Sequence, residues 1–268
     1  MKVSTLCLGA VHLSTYEFII ALFCRIDDTL TNQTKHPQAK LWPSELVTLG
    51  VLRALKGLPF RAFYRWITRN GTLLFPNLPD RTRLARLLVT HRELADAFLV
   101  APQSQGIIDC FGVEMIHPIR EGRSPNQYGK KGLSNHRWIV GLKFCPIITE
   151  QGSIIDWDFY PANVHDSTFT YLAARNPQMS VKADQGFHRS LKRGGDPTNL
   201  VICKRGENNE RMIVETVFSL WQGTLHLKKT TARAERYLEA LLAFAVAAFN
   251  LVVNWTGATN LSTTFFSL

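Results

Sequence analysis

The hydrophobic pattern of this chain changes near Pro102, and that change constrains the fold more than any other feature of the sequence. Before Pro102, apolar residues recur at the spacing of amphipathic helices. After it, short apolar runs rich in branched side chains alternate with helix-like segments, as in layered α/β domains. The sequence therefore predicts a helical domain over residues 1–103, followed by an α/β domain with a mixed sheet flanked by helices over residues 104–268.

The first domain combines apolar helix faces with regularly spaced arginines. Gly57 is expected to cap one helix at its carboxyl end, and Asp80 to cap another at its amino end. Arg61, Arg65 and Arg69 recur every four residues, so they share one side of a helix. The predicted helices span residues 16–30, 42–57, 59–70 and 80–99.

The arginines leave two interpretations of this domain open. A short helix, a glycine-containing turn and an arginine-rich helix resemble a helix-turn-helix unit, in which Arg61, Arg65 and Arg69 would bind DNA. The alternative is a small helical bundle whose arginines are only solvated. The excess of basic residues, 31 Lys and Arg against 21 Asp and Glu, gives a net charge of +10 and favours a polyanionic partner.

Two apolar segments raise the question of a membrane. Residues 1–13 are mostly apolar, but His12 interrupts them and no clear signal-peptidase site follows. Residues 238–255 are apolar enough for a membrane span, but Glu239 and Asn250 lie inside the segment. A buried helix of a soluble domain is therefore favoured over a membrane helix.

The five cysteines have no zinc-like or redox spacing, and their odd number argues against a disulfide scaffold. They are interpreted as small buried side chains in a reducing compartment. We expect a cytoplasmic protein, and the positions concerned are Cys7, Cys24, Cys110, Cys145 and Cys203.

Three carboxylates stand at distinctive positions in the second domain. Asp109 and Asp184 each follow a short apolar strand, where a carboxylate is unfavourable unless a cation meets it. Glu215 lies on a predicted helix among apolar neighbours, four residues after Arg211, which predicts a position near the core side. Clustered carboxylates repel one another, and a divalent cation relieves that repulsion. The alternative is that the aspartates only cap turns and that Glu215 only pairs with Arg211.

The strands and helices of this domain follow from local pattern. Predicted strands span residues 106–110, 138–148, 153–160, 180–183 and 200–203, and predicted helices span residues 168–174, 209–221 and 233–255.

Four motifs in this order resemble those of the bacterial insertion-sequence transposases of the DDE class, whose catalytic domain has an RNase H-like fold. Together they are far more specific than any one of them. The motifs are Ile107-Ile108-Asp109, Pro161-Ala162-Asn163-Val164-His165-Asp166, Ala183-Asp184-Gln185-Gly186-Phe187, and Arg211-Met212-Ile213-Val214-Glu215-Thr216-Val217-Phe218.

The resemblance implies a function and a set of site residues. Asp109, Asp184 and Glu215 would be catalytic and would bind two Mg²⁺ (or Mn²⁺) ions. The reaction would be DNA cleavage at the ends of an insertion sequence, followed by attack of the freed 3′-OH on target DNA. The partner would be double-stranded DNA, element ends and target alike. A homodimer on DNA, association with the nucleoid and no membrane are expected.

Other residues would support this site. Arg211 and Asn163, His165 and Asp166 belong to the matching motifs, although His165 and Asp166 are equally explained as caps of a helix that begins near Ser167. The basic residues around the acids are candidate phosphate contacts, with ordinary solvated loops as the alternative. They are Lys130, Lys131, Arg189, Lys192 and Arg193.

The chain departs from the family signature at two positions concerned with DNA-strand handling. Asn208 stands where the family has Tyr, and Gln222 where it has Lys. Strand transfer is therefore a weaker expectation than metal binding. The alternatives are an RNase H-like endonuclease without strand transfer and an inactive or domesticated transposase-derived DNA-binding protein.

Overall fold

The structure, a computed structural model, describes residues 5–8, 11–123, 127–134, 137–189, 194–203 and 212–256. In chain order the strands and α-helices are β1 (Thr5–Leu8), β2 (Val11–Ser14), α1 (Thr15–Thr29), α2 (Pro43–Lys56), α3 (Phe60–Asn70), α4 (Arg81–Thr90), β3 (Gln105–Ile108), β4 (Phe111–Ile116), β5 (Lys130–Ser134), β6 (Arg137–Ile148), β7 (Ile154–Pro161), α5 (Tyr171–Arg175), β8 (Ser180–Ala183), β9 (Leu200–Ile202), α6 (Met212–Gly223) and α7 (Glu235–Thr256). Short 3₁₀ segments occur at Arg92–Phe98, Pro118–Arg120, Asp166–Thr170 and Gln185–Phe187.

The chain forms two compact units. The first comprises the described residues within 1–98, 223–226 and 235–268, and the second those within 99–222 and 227–234. This division differs from the boundary expected from sequence in one element, because α7 belongs to the first unit.

Helix ends in the first unit follow the local chemistry of their residues. The Asp80 carboxylate accepts hydrogen bonds from the backbone N–H groups of Thr82 and Arg83, each at 3.0 Å, and so caps α4. Gly57 ends α2 in the left-handed conformation with φ of 58°. Both predicted caps are confirmed. The prediction that the fourth helix continues to about residue 99 is wrong, because the α-helix ends at Thr90, the second of two consecutive β-branched residues of low helix propensity.

Helix α7 is the central element of the first unit. It packs against α2, α4 and the 3₁₀ segment Arg92–Phe98. A Cβ atom on Gly50 of α2 would lie 2.4 Å from the Phe244 ring, so the absence of a side chain lets the two helices approach closely. The buried Asn250 amide donates to the Phe98 carbonyl at 2.9 Å, which satisfies this polar group inside the core.

The apolar character of α7 is explained by its burial. Within the described part of the chain it is the one helix long and apolar enough to cross a membrane, with a mean hydropathy of 1.7. However, 78% of that apolar window is buried inside the protein. This agrees with the expectation of a core helix.

The second unit is built on a seven-stranded mixed sheet. Strand β6 pairs antiparallel with β3, β4, β5 and β7, whereas β3, β8 and β9 run parallel to one another. The central order is therefore β7-β6-β3-β8-β9. The five strands predicted in this domain are present, and β4 and β5 were not predicted.

Helices cover both faces of this sheet. Neighbouring residues of a strand point to opposite faces. Cys145 of β6 packs in a buried cluster with Phe169 and with Leu172 of α5. Its neighbour Phe144 faces the other side and stacks on Trp221 of α6, with 4.6 Å between ring centroids. The mixed α/β class with a sheet flanked by helices is confirmed.

The free cysteines are not uniformly buried. Cys145 and Cys203 are buried as expected and Cys110 is half-buried. Cys24 is exposed on α1, so the expectation of burial is wrong there.

Candidate active site

Two of the predicted acids follow adjacent parallel strands. Strand β3 pairs with β8 in a register that joins Ile107 to Lys182. Two residues further on, this register puts Asp109 and Asp184 opposite each other, just beyond the carboxyl ends of the two strands. The edge formed by strand carboxyl ends is a common position for ligand sites in α/β sheets.

The third acid reaches the same place from a helix. Asp109, Asp184 and Glu215 line one cleft of about 610 Å³ within the second unit. The full lining is Asp109, Cys110, Leu133, Ser134, Lys143, Asp166, Asp184, Glu215, Phe218, Ser219 and Gln222. The three residues singled out from sequence therefore share a cleft, although they are far apart along the chain.

Backbone hydrogen bonds orient both aspartates. The Asp109 Oδ1 atom accepts from the N–H of Cys110 at 2.7 Å. The Asp184 Oδ1 atom accepts from the N–H of Gly186 at 2.8 Å, which makes Asp184 the cap of the 3₁₀ segment Gln185–Phe187. The alternative that Asp184 only caps a turn thus accounts for the hydrogen bond of one of its two carboxylate oxygens. It does not explain why this carboxylate shares a cleft with two other predicted acids.

Glu215 lies on the exposed face of α6. Residues three, four and seven positions apart share a helix face, which explains why Ser219 and Gln222 also line the cleft. Val214, on the other face, is buried. The expectation that Glu215 lies near the core is wrong, because its side chain is exposed. Arg211 lies outside the described residues.

A fourth acid and a lysine belong to the cleft. Lys143 Nζ lies 2.6 Å from Asp166 Oδ1, and the lysine side chain is only 12% exposed. A Cβ atom on Gly186 would lie 2.9 Å from Asp184 Oδ1 and 3.4 Å from Asp166 Oδ2, so both carboxylates border the same small space. The ammonium group places one positive charge among the four acidic side chains of the cleft.

The turn that carries Asp166 is fixed by His165. The His165 Nδ1 atom accepts from the Ser167 N–H at 3.2 Å and lies 2.9 Å from the Ser167 hydroxyl. His165 is therefore a cap, whereas Asp166 lines the cleft. Asn163 is exposed in the preceding turn and does not line the cleft.

The environment of the thiol in the cleft disfavours its reactive thiolate form. Burial raises the pKa of Cys110 well above its ordinary value, and a hydrogen bond with Cys145 and the charges of Asp166 and Asp109 raise it further. Burial also raises the pKa of Cys145. Since the thiolate is the reactive form, both side chains act as packing groups beneath the carboxylates.

The candidate DNA contacts differ in exposure. Arg61, Arg65 and Arg69 are exposed on α3. Lys130 and Lys131 are exposed on β5, whose last two residues line the cleft.

The remaining candidate contacts follow the second acid. Arg189 is half-buried, and its guanidinium donates to the Thr170 hydroxyl at 3.4 Å, so at least part of this side chain supports the fold. Lys192 and Arg193 lie outside the described residues.

Sequence reasoning missed Lys143. A signal was present, because Lys143 is the one charged residue between Trp138 and Ile148, in an otherwise apolar strand. A lysine in such a strand needs a partner, and Asp166 is that partner.

The chemistry of the cleft suits a hard divalent cation. Carboxylate oxygens are the ligands that Mg²⁺ and Mn²⁺ prefer. Within the described part of the chain, however, no three His, Cys, Asp or Glu side chains converge closely enough to form a complete metal site. The donor type therefore fits, and closing a site around an ion requires side-chain rotation. Exposed Glu215 makes no hydrogen bond or ion pair with the other described residues that would hinder this.

Comparisons of this chain with models of protein families, with curated proteins and with solved structures gave no match. The family resemblance thus depends on the four motifs and on their positions in the fold. Asp109, Asp166, Asp184 and Glu215, one acid from each motif, line the same cleft.

Proposed function

We propose that this protein is a DNA transposase of the DDE class, which cleaves DNA at the ends of an insertion sequence and transfers the freed strand. The observation that carries the proposal is the shared cleft of Asp109, Asp184 and Glu215. We further propose that the sheet is RNase H-like. In support, the first two acids follow the neighbouring parallel strands β3 and β8, and the third comes from a helix packed on the sheet.

In this proposal Asp109, Asp184 and Glu215 would hold two Mg²⁺ (or Mn²⁺) ions. When bound there, such ions would supply activation of the attacking oxygen and stabilisation of the leaving oxygen in a phosphodiester displacement. The protein contributes position, because the backbone N–H groups of Cys110 and Gly186 hold the two aspartates in fixed orientations. Lys143 keeps Asp166 in place through its 2.6 Å ion pair.

The DNA partner is supported by charge. The chain carries +10 overall, and exposed Arg61, Arg65 and Arg69 lie on one helix. Exposed Lys130 and Lys131 begin β5, which runs into the cleft at Leu133 and Ser134. A phosphate backbone bound along β5 would be led to the acids. Handling two element ends in one reaction favours a homodimer on DNA.

The decisive experiment is cleavage and joining by purified protein on the DNA that flanks its own coding sequence, with Mg²⁺ or Mn²⁺. We expect metal-dependent nicking and, with a pre-cut 3′-OH end, a joined product. Asp184→Asn keeps the size of the side chain and its capping ability but removes its charge, so both activities should fall by more than about 100-fold. Equal activity in the two proteins would contradict the proposal.

A matched pair of glutamates tests the cleft itself. Glu215→Gln and Glu150→Gln are the same chemical change, at exposed positions of the same unit, but only Glu215 lines the cleft. We expect loss of cleavage in Glu215→Gln and less than a twofold change in Glu150→Gln. Similar effects in both variants would mean that the cleft is not the active site.

A second candidate function, an endonuclease without strand transfer, is favoured by one observation. Gln222 lines the cleft at the position where the resembled family has Lys. This candidate predicts nicking without a joined product, and Gln222→Lys should then raise joining relative to nicking. An inactive DNA-binding descendant predicts DNA binding with no metal-dependent cleavage at all.

A further inference from the structure

The first unit contains a pocket that the proposed chemistry does not use. Its volume is about 500 Å³, within the range of small-molecule sites. It is formed by the segment between α1 and α2, the start of α2, and helix α4 with the residues that follow it. The lining is Gln33, Thr34, Lys35, His36, Gln38, Ala39, Lys40, Leu41, Trp42, Pro43, Leu46, Pro79, Arg83, Leu87, His91 and Leu94.

The charge of this pocket is one-sided. Five lining side chains are basic or can become so, and none of the sixteen is acidic. None of the five forms an ion pair with another described residue. The nearby Glu45 carboxylate accepts from the Trp42 backbone N–H at 2.6 Å and is not part of the lining. The permanent cations among the five are Lys35, Lys40 and Arg83, and cations without an ion-pair partner around a concave surface attract an anion. The five are Lys35, His36, Lys40, Arg83 and His91.

An exposed aromatic ring completes the pocket. Trp42 is 51% exposed, a large fraction for an indole at the start of a well-packed helix. The ammonium of Lys35 lies 5.5 Å from the centre of this ring. Leu41 and Leu46 beside it are buried and give the pocket an apolar floor. The pocket therefore offers a flat aromatic surface, an apolar floor and a cationic rim.

These three features match one chemical class, a planar base joined to a phosphate. We propose that this pocket binds an unpaired nucleotide of DNA, with the base against Trp42 and the phosphodiester at Lys35 and Arg83. A base within a duplex exposes only its edges, so stacking on a side chain requires an unpaired base. The choice of DNA as the polymer rests on the proposed function, whereas the nucleotide chemistry rests on the pocket alone.

The test compares two DNA probes in fluorescence anisotropy, without divalent metal so that no cleavage occurs. One probe is a blunt duplex and the other is the same duplex with a short single-stranded overhang. We expect the full-length protein to prefer the overhang by about tenfold, the size of one base-aromatic stack. Trp42→Ala should abolish the preference and leave blunt-duplex binding unchanged. Lys35→Gln with Arg83→Gln should have the same effect.

Two controls separate stacking from folding. Trp42→Phe retains a ring and should keep most of the preference. Tyr16→Ala removes another exposed aromatic side chain of the first unit that does not line the pocket, and should keep all of it. If Trp42→Ala prefers the overhang as the unchanged protein does, the inference is overturned.

Further outcomes distinguish this inference from the proposed function. Binding of free thymidine monophosphate that depends on Trp42, with no preference for the overhang, would contradict the assignment to DNA. A Trp42-dependent preference in a protein with no metal-dependent cleavage would uphold the pocket and overturn the transposase. If cleavage is lost in Asp184→Asn but overhang binding does not depend on Trp42, the transposase proposal is upheld and the pocket inference is overturned.

Discussion

Two cavities formed by described residues, the acidic cleft and the basic pocket, have similar volumes, about 610 and 500 Å³, and opposite charge. The cleft in the second unit is lined by four carboxylates and a single lysine. The pocket in the first unit has five basic or ionisable nitrogen side chains and no carboxylate. A net charge of +10 describes the chain as a whole and neither cavity. The local charge of each cavity, rather than the net charge of the chain, therefore indicates what it can bind. The acidic cleft suits cations, and the basic pocket suits anions.

The two cavities also differ in how they are built. Two acids of the cleft follow paired strands of the sheet, and backbone hydrogen bonds orient them. Much of the basic pocket is an irregular segment between two helices, residues 33–42. Sites on regular elements hold their groups more accurately than sites on loops. The cleft therefore has the more regular construction, as a site that positions reacting groups requires.

The strongest test of this comparison uses two variants, each of which should lose the function of one cavity and keep that of the other. The largest effect should come from Asp109→Asn. We expect cleavage to fall by more than about 100-fold, because even the outer partners of metal ligands contribute 10- to 100-fold. The preference for the overhang over the blunt duplex, measured without metal, should not change. The measurements are the cleavage rate and anisotropy on the same preparation.

The reciprocal variant carries Lys35→Gln and Arg83→Gln together. It should lose the overhang preference and keep the rise in melting temperature that we expect Mg²⁺ to produce in the unchanged protein. If Asp109→Asn also loses the overhang preference, and the double variant also loses its response to Mg²⁺, the two cavities do not act separately.

Local pattern was sufficient to predict much of the second unit. The strand that ends before Asp184 was predicted at residues 180–183, and it spans those residues. The apolar run before Asp109 likewise forms β3. What local pattern could not supply is the parallel pairing of β3 with β8, which brings the two aspartates together across 75 residues. That step came from the family resemblance.

The structural features that were not predicted from the sequence were missed for different physical reasons. Strand β4 has a readable signal, since Phe111, Val113 and Met115 alternate with less buried residues. Strand β5, Lys130–Ser134, has no apolar alternation and is held by its pairing with β6. The basic pocket has no sequence signature, because its residues come from separate segments of the chain. The sequence pattern of helix α7 predicts a buried helix but does not indicate which of the two units it packs in.

The next effect in size concerns Lys143, the one basic side chain among the described residues that line the acidic cleft. In Lys143→Gln the Asp166 carboxylate loses its ion-pair partner in the acidic cleft, so without metal the free energy of unfolding should fall by about 1–2 kcal/mol. Mg²⁺ relieves the added repulsion, so it should raise the melting temperature more in the variant than in the unchanged protein. Calorimetry with and without Mg²⁺ measures both effects.

Two variants control this prediction. Lys143→Arg keeps the charge and should behave more like the unchanged protein. Lys229→Gln removes an exposed lysine that pairs with Glu114 at 3.5 Å, outside the cleft, and should leave the Mg²⁺ response unchanged. If Mg²⁺ raises the melting temperature equally in Lys143→Gln and Lys229→Gln, Lys143 does not reduce the repulsion among the carboxylates of the cleft.

The smallest expected effect distinguishes the basic pocket from the arginine face of α3. Arg65 is exposed, and as a phosphate contact it should act equally on every DNA probe. Arg65→Gln should weaken binding of blunt and overhang duplexes alike, about two- to fivefold, and reduce the slope of log affinity against log salt by about 1. Trp42→Ala should leave that slope unchanged, because stacking releases no counterions. If Arg65→Gln alters only overhang binding, α3 and the pocket hold the same single strand, and the division between general and strand-specific contacts has to be abandoned.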